Sequence, residues 1–146
     1  MQLETFQLID RILDLNLGER TITVEAQVPP PTHTIFEGHF PGYPIMPGVL
    51  VIEAMAQTGA ILMMSEIPDR HSKLGLFTGI DGAKFRGGVV PGDQLRFEID
   101  VISFRSRAGK MQGKAFVDGK LVCEATLSCL LVPRSREKAA AAEPGQ

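Results

Sequence analysis

The sequence holds no tryptophan, one tyrosine, three histidines and two cysteines in 146 residues. Two cysteines are too few for a disulfide scaffold, which needs several bridges in a short chain. They cannot bridge each other either. Cys123 and Cys129 lie six positions apart in what reads as one strand, roughly 20 Å at ~3.3 Å per residue, against the ~7 Å that a disulfide allows. Both read as small buried hydrophobes on the alternating face of Leu121, Ala125 and Leu127. Net charge is nearly absent, with 15 basic residues against 17 acidic ones, so nucleic acid meets no overall basic footprint. At 44% hydrophobic residues the chain is too apolar for a disordered polymer. No basic, apolar leader opens it and no uncharged run is long enough to span a bilayer. A cytoplasmic protein without membrane insertion is the expectation.

What is present suits one domain with a real core, expected over residues 1–133, followed by a mobile tail over 134–146. Residues 21–28 alternate strictly, with Ile22, Val24, Ala26 and Val28 on one side, the pattern of a half-buried strand. Pro29, Pro30 and Pro31 end it, because proline cannot donate to a ladder. A loop dense in glycine and proline follows over 32–48. From Val49 to Met64 the period becomes helical and apolar on every side, which reads as a core helix interrupted by Glu53, Gln57 and Thr58. Then come strands at 74–80, 95–103, 111–117 and 120–132, the last two joined by Asp118-Gly119, a dipeptide suited to a two-residue turn with both φ positive. One helix set apart from an antiparallel run predicts an α+β fold.

Few polar groups lie near that helix. Glu53 sits in its early turns with Gln57 one turn on. A buried carboxylate there either has a structural partner or is tuned for acid–base work. His39, in Gly38-His-Phe-Pro-Gly, is either a loop packing residue or a base, since its ordinary pKa suits proton abstraction near neutrality. Gly48 follows Pro47 at the helix start, where backbone N–H groups and the positive dipole end favour a developing oxyanion, if it is more than a plain turn. A base, a carboxyl and a polarising amide are the parts needed to take a proton α to a carbonyl and expel a β-hydroxyl.

The run from Gly38 to Gln57 (Gly-His-Phe-Pro-Gly-Tyr-Pro-Ile-Met-Pro-Gly-Val-Leu-Val-Ile-Glu-Ala-Met-Ala-Gln) resembles the signature of the bacterial β-hydroxyacyl-acyl-carrier-protein dehydratases. The likeness continues in Phe77–Arg86, Val90–Leu95 and Val117–Ala125, and covers roughly residues 6–132. It implies a hotdog fold, an antiparallel sheet wrapped around one long helix. It implies an enzyme that dehydrates (3R)-3-hydroxyacyl thioesters to trans-2-enoyl thioesters in fatty acid synthesis, or in making lipid A or other specialised acyl chains. By the resemblance His39 is the catalytic histidine, Glu53 the catalytic carboxyl, held protonated by its apolar helix, and the Gly48 amide polarises the thioester carbonyl. Phe40, Val49, Gln57, Leu76 and Phe77 are expected along the acyl tunnel. No metal or organic cofactor is implied. The partners implied are an acyl carrier protein and a second copy of the chain, in a homodimer or a hexamer of three dimers, with histidine and carboxyl coming from different protomers.

Three features depart from the family pattern: Phe6-Gln-Leu-Ile-Asp-Arg stands without an aromatic-proline lead, Thr32-His33-Thr34 replaces an Asn-Glu-Pro-like stretch, and Leu76 falls where many members carry a gating tyrosine. Residues 84–114 carry seven basic and three acidic residues, net +4, against −6 for the remainder. Acyl carriers are acidic, so Lys84, Arg86, Arg105, Arg107 and Lys110 are either a docking face or charges that protect an edge strand. The competing readings are a hotdog thioesterase that activates water, and a non-catalytic carrier-binding subunit.

Overall fold

A computed structural model of the chain describes residues 8–29, 46–67 and 72–133. Six strands form a single antiparallel sheet: β1 (Arg11–Asn16), β2 (Thr21–Gln27), β3 (Lys73–Phe85), β4 (Gln94–Arg105), β5 (Ala108–Val117) and β6 (Lys120–Pro133), in the order β1-β2-β4-β5-β6-β3. The helix α1 (Gly48–Ser65) lies between β2 and β3 in the chain and packs against β2, β3, β4, β5 and β6. The first and last strands of that order, β1 and β3, are the two edges.

The predicted alternation of β2 is realised, with Ile22, Val24 and Ala26 buried and their neighbours half-buried or exposed. The β5–β6 hairpin turns at Asp118 and Gly119 with φ of 51° and 76°, as its sequence demands. The third strand runs five residues beyond its expected end at Ile80. Gly82, at φ 59°, absorbs a shift in pairing between Asp81 and Lys84, after which Lys84 and Phe85 face Glu124 and Cys123. Cys123 and Cys129 are both free and buried, as expected. Leu121 does not share their face. Pairing slips between Ala115↔Cys123 and Phe116↔Leu121, so the alternation breaks at Val122.

The helix sits close on the sheet because methionines and glycines interlock. Met55 lies against Gly113 where any β-carbon would collide with it, Met111 reaches Gly59, with its Cε 2.9 Å from where a Cβ would stand, and Met63 lies against Gly109. An unbranched thioether fills such gaps without the χ1 restriction of a branched side chain. Met55, Met63, Met111, Leu62 and Thr58 are all at most 1% exposed. The Thr58 hydroxyl donates to the Ala54 carbonyl at 2.9 Å, which satisfies the one buried polar side chain among the described residues. By length and hydropathy alone α1 would pass for a membrane span. Its seat under the sheet makes it a core helix.

Candidate active site

Pro47 caps α1 through its backbone alone, with no side-chain cap, and its carbonyl accepts the N–H groups of Leu50 and Val51. No acidic residue stands in the first turn. The first N–H groups of a helix have no carbonyl one turn back, so Gly48 presents its amide at the positive end of the dipole. Met46 precedes it, tied by its N–H to the Val89 carbonyl at 2.7 Å, which fixes the helix start against the 87–89 loop.

Beside Gly48 opens an apolar cleft of about 550 Å³, within the usual range for small-molecule sites. The helix contributes Val49, Val51 and Ile52, the edge strand Ile80, Ala83 and Phe85, and β6 contributes Val122 and Cys123. None of the lining side chains is charged. Burial pushes the Cys123 thiol up to about 11, with the neighbouring Glu124 carboxylate adding to the shift. It is a wall, not a nucleophile.

Of the residues expected in the tunnel, Val49 lines this cleft and Gln57, Leu76 and Phe77 do not. Phe77 is half-buried near Gly59, farther along the helix, and Leu76 is exposed opposite Leu130. His39 and Phe40 lie outside the described residues. The lining residues that pattern reading overlooks are Ile80, Ala83, Phe85, Val122 and Cys123. The signal for Ala83 and Phe85 is β3 continuing past Gly82, which a strict alternation test hides, whereas Ile80 already ends the expected strand.

Glu53 requires a correction. The expectation was a carboxyl buried by its own apolar helix, but it lies on the exposed side of α1. Five residues at ~100° each turn Glu53 about 140° from Gly48, and Glu53 is not among the residues lining the cleft that Gly48 borders. Its Oε2 accepts a hydrogen bond from Gln57 Nε2 at 3.4 Å. Gln57 Oε1 in turn accepts the Leu8 N–H at 3.1 Å. That backbone donor can only bond an oxygen, so it fixes which way the Gln57 amide points and aims the NH2 at Glu53.

The expected docking residues fall into two groups. Lys84 and Arg86 lie beside the cleft, and Arg86 donates to Glu124 Oε2 through Nε and Nη2 at 2.8 and 2.5 Å. Arg105, Arg107 and Lys110 lie at the other end of the sheet, where the Leu131 N–H donates to the Arg107 carbonyl. Glu124 and Leu131 are seven residues apart on β6, so the groups are separated by roughly 20 Å. Among the described residues, no three His, Cys, Asp or Glu side chains stand together as a metal-ligand set.

A six-stranded antiparallel sheet around one long helix, with an apolar cleft at that helix's start, defines the hotdog class. Solved structures agree on the fold. The chain matches the dehydratase heterocomplex ApeI:P from Xenorhabdus doucetiae with a TM-score of 0.72 at 16% identity, over 94% of this chain and 90% of that one. It matches a thioesterase superfamily member from Thermus thermophilus with a TM-score of 0.68 at 16% identity, over 83% and 87%. The FabA-like domain matches residues 1–126, and the chain belongs to that family. Among curated relatives it is 54% identical to the 3-hydroxyacyl-acyl-carrier-protein dehydratase FabZ of Koribacter versatilis, over 87% of this chain and 80% of that protein. It is 44% identical to the FabZ of Alkaliphilus metalliredigens, over 91% and 88%.

Proposed function

We propose that the cleft beside Gly48 receives the acyl chain of a 3-hydroxyacyl thioester, and that His39, Glu53 and the Gly48 amide eliminate water from it. The chain is a hydro-lyase of fatty acid synthesis, a 3-hydroxyacyl-acyl-carrier-protein dehydratase. The observation that carries the site reading is the meeting of an uncharged cleft with the helix start at Gly48. The amide hydrogen-bonds the thioester carbonyl, which acidifies the C2 protons and stabilises enolate character. His39 takes a C2 proton. Glu53 delivers a proton to the departing 3-hydroxyl, water leaves, and a trans-2-enoyl thioester remains.

The exposed position of Glu53 supports a site shared between two copies. A carboxyl turned away from its own cleft is available to a neighbour's, and the second copy supplies the cover that its own chain does not. The edge for such pairing is β3, whose 13 residues carry exposed Leu76, Ile80 and Phe85. A long apolar edge of this kind calls for a partner. The assembly is a homodimer, with a hexamer of three dimers as the larger form, working in the cytoplasm. Its other partner is an acidic acyl carrier, docked by Lys84 and Arg86 at the cleft and by Arg105, Arg107 and Lys110 farther off.

The test is dehydration of 3-hydroxyacyl carriers, read as mass loss of water. His39→Ala and Glu53→Gln should each lower turnover by about 10²–10⁴-fold. Mixing the two inactive variants should restore part of the activity, because a mixed dimer assembles one intact site. Near-normal turnover by His39→Ala overturns the catalytic assignment, and thiol release in place of water loss points to thioester hydrolysis. An inactive mixture, with subunit exchange demonstrated, overturns the shared site.

A further inference from the structure

The cleft runs from an open mouth to a closed floor. At the mouth Val49, Ile80 and Phe85 are 71%, 50% and 55% exposed. The buried part of the lining is Met46, Val51, Ile52, Val89, Val122 and Cys123, all at most 7% exposed, and Val122 and Cys123 are the share that β6 supplies. Consecutive strand residues ordinarily point to opposite faces. Here both line the same cavity. The slip between Ala115↔Cys123 and Phe116↔Leu121 leaves Val122 as the extra residue of a bulge, opposite no residue of β5.

The bulge is tied to the segment that follows β3, whose Gly87 and Gly88 also line the cleft. The Arg86 N–H donates to the Val122 carbonyl at 2.7 Å. A β-carbon at Gly87 would stand 3.4 Å from Val122 Cγ1, so the 87–88 loop lies directly on that side chain. Valine has one stiff torsion. With its carbonyl tied and the loop close beside it, Val122 is held at the cleft wall.

We propose that Val122 is the stop that sets the longest acyl chain this enzyme handles well. The inference rests on the reading of the cleft as the acyl site and adds to it the residue that selects among substrates. The lining is uncharged, so length and shape are what it can discriminate. A chain short of the floor binds through its methylenes alone. One that reaches the floor meets the Val122 methyls against a wall that does not yield. Bulge placement, not residue type alone, makes the position decisive, because without the slip Val122 would face away from Cys123.

The experiment measures kcat/KM of the full chain against a series of 3-hydroxyacyl carriers of increasing length, for the wild type, Val122→Ala and Val122→Leu. One methylene in an apolar pocket is worth about 10–200-fold in discrimination. Val122→Ala should therefore raise the kcat/KM of the first poorly used chain, relative to the best-used one, by about tenfold or more. Val122→Leu should lower the kcat/KM of the longest well-used chain, relative to short chains, by a similar factor. Circular dichroism and thermal melts establish that each variant is folded. The more conservative Val122→Leu keeps the test open if the alanine variant does not fold. If folded variants keep the wild-type length profile, or lose activity equally on every chain, the stop is overturned while the dehydratase reading stands. If the wild type dehydrates no chain of any length, the reading beneath it falls as well.

Discussion

Arg86 grips Glu124 through two nitrogens on one carboxylate oxygen, while its own backbone N–H holds the Val122 carbonyl two residues away. The side chain and main chain of a single residue thus tie the end of β3 to the bulge that floors the cleft. The Arg86 hydrogen bond, helped by the charges of Arg86, Lys84 and Lys114, holds the Glu124 carboxyl below its ordinary range, against an opposing desolvation. A lowered carboxylate favours the fold above the ordinary pKa and loses that contribution as pH falls through the folded value. Arg86→Ala should move the Glu124 titration back toward the ordinary carboxylate range, measured by NMR. An unchanged titration would mean that the lysines, not Arg86, set it.

Cys123 gives the opposite sign. Its thiol is pushed up to about 11 by burial, so the neutral form is the one the fold favours. The contribution is intact below the ordinary thiol value and disappears as pH rises through the folded value, between about 9 and 11, on the order of 2 kcal/mol. Alkylation of Cys123 should be slow at neutral pH and keep accelerating past pH 9, followed by mass spectrometry. A plateau near the free-thiol value would show that the cleft floor is wet.

Gln57→Ala should reduce kcat by about fivefold with a smaller change in KM, the factor carried by one hydrogen bond of ~1 kcal/mol. The amide accepts the Leu8 N–H and donates to Glu53 Oε2, a geometry suited to orienting the carboxyl. Gln57→Glu should be worse, because it replaces the amide donor with a second carboxyl beside Glu53. Equal loss in both variants together with a lowered Tm would assign Gln57 to packing alone.

The fit between helix and sheet can be probed at Gly113. A β-carbon there collides with Met55, and overpacking of this kind costs about 1–3 kcal/mol. Gly113→Ala should lower Tm accordingly. In the Met55→Ala background the same change should be much milder, a coupling read from a double-mutant cycle of denaturant unfolding. Additive effects would mean that the two do not share space.

Leu76→Lys, placed on the exposed edge strand outside the cleft, should shift the protein toward monomers in sedimentation velocity and lower dehydration in parallel, as the proposed shared site requires. A dimer that persists at full activity would move the interface away from β3.

Most of the fold was legible because most of it is periodic. Ile22, Val24 and Ala26 bury as their alternation says, the all-round apolar run at 49–64 is the core helix, and Asp118-Gly119 turns as only such a pair turns comfortably. The unreadable parts are places where the period breaks. Gly82 lets β3 continue past Ile80, and the slip at Val122 throws Leu121 off the face of Cys123. Each is a one-residue accident of pairing that depends on the strand opposite, and no local pattern carries it. Glu53 shows the complementary limit. Its neighbours in sequence are apolar, yet rotation around α1 sets it on the exposed side. The residue types of the site were plain in the Gly38–Gln57 run, but the depth of each in the molecule was not.

The seating of α1 also gives this chain an oxidative liability. Met55, Met63 and Met111 are shielded while folded, so peroxide reaches them only through an opened molecule. A sulfoxide is polar and chiral, and would have to return to a notch shaped by a bare glycine for an unbranched thioether. Damage taken while open therefore blocks closure. The same interlock that lets a single helix fill the sheet would make a brief unfolding under oxidants last until the sulfoxides are reduced.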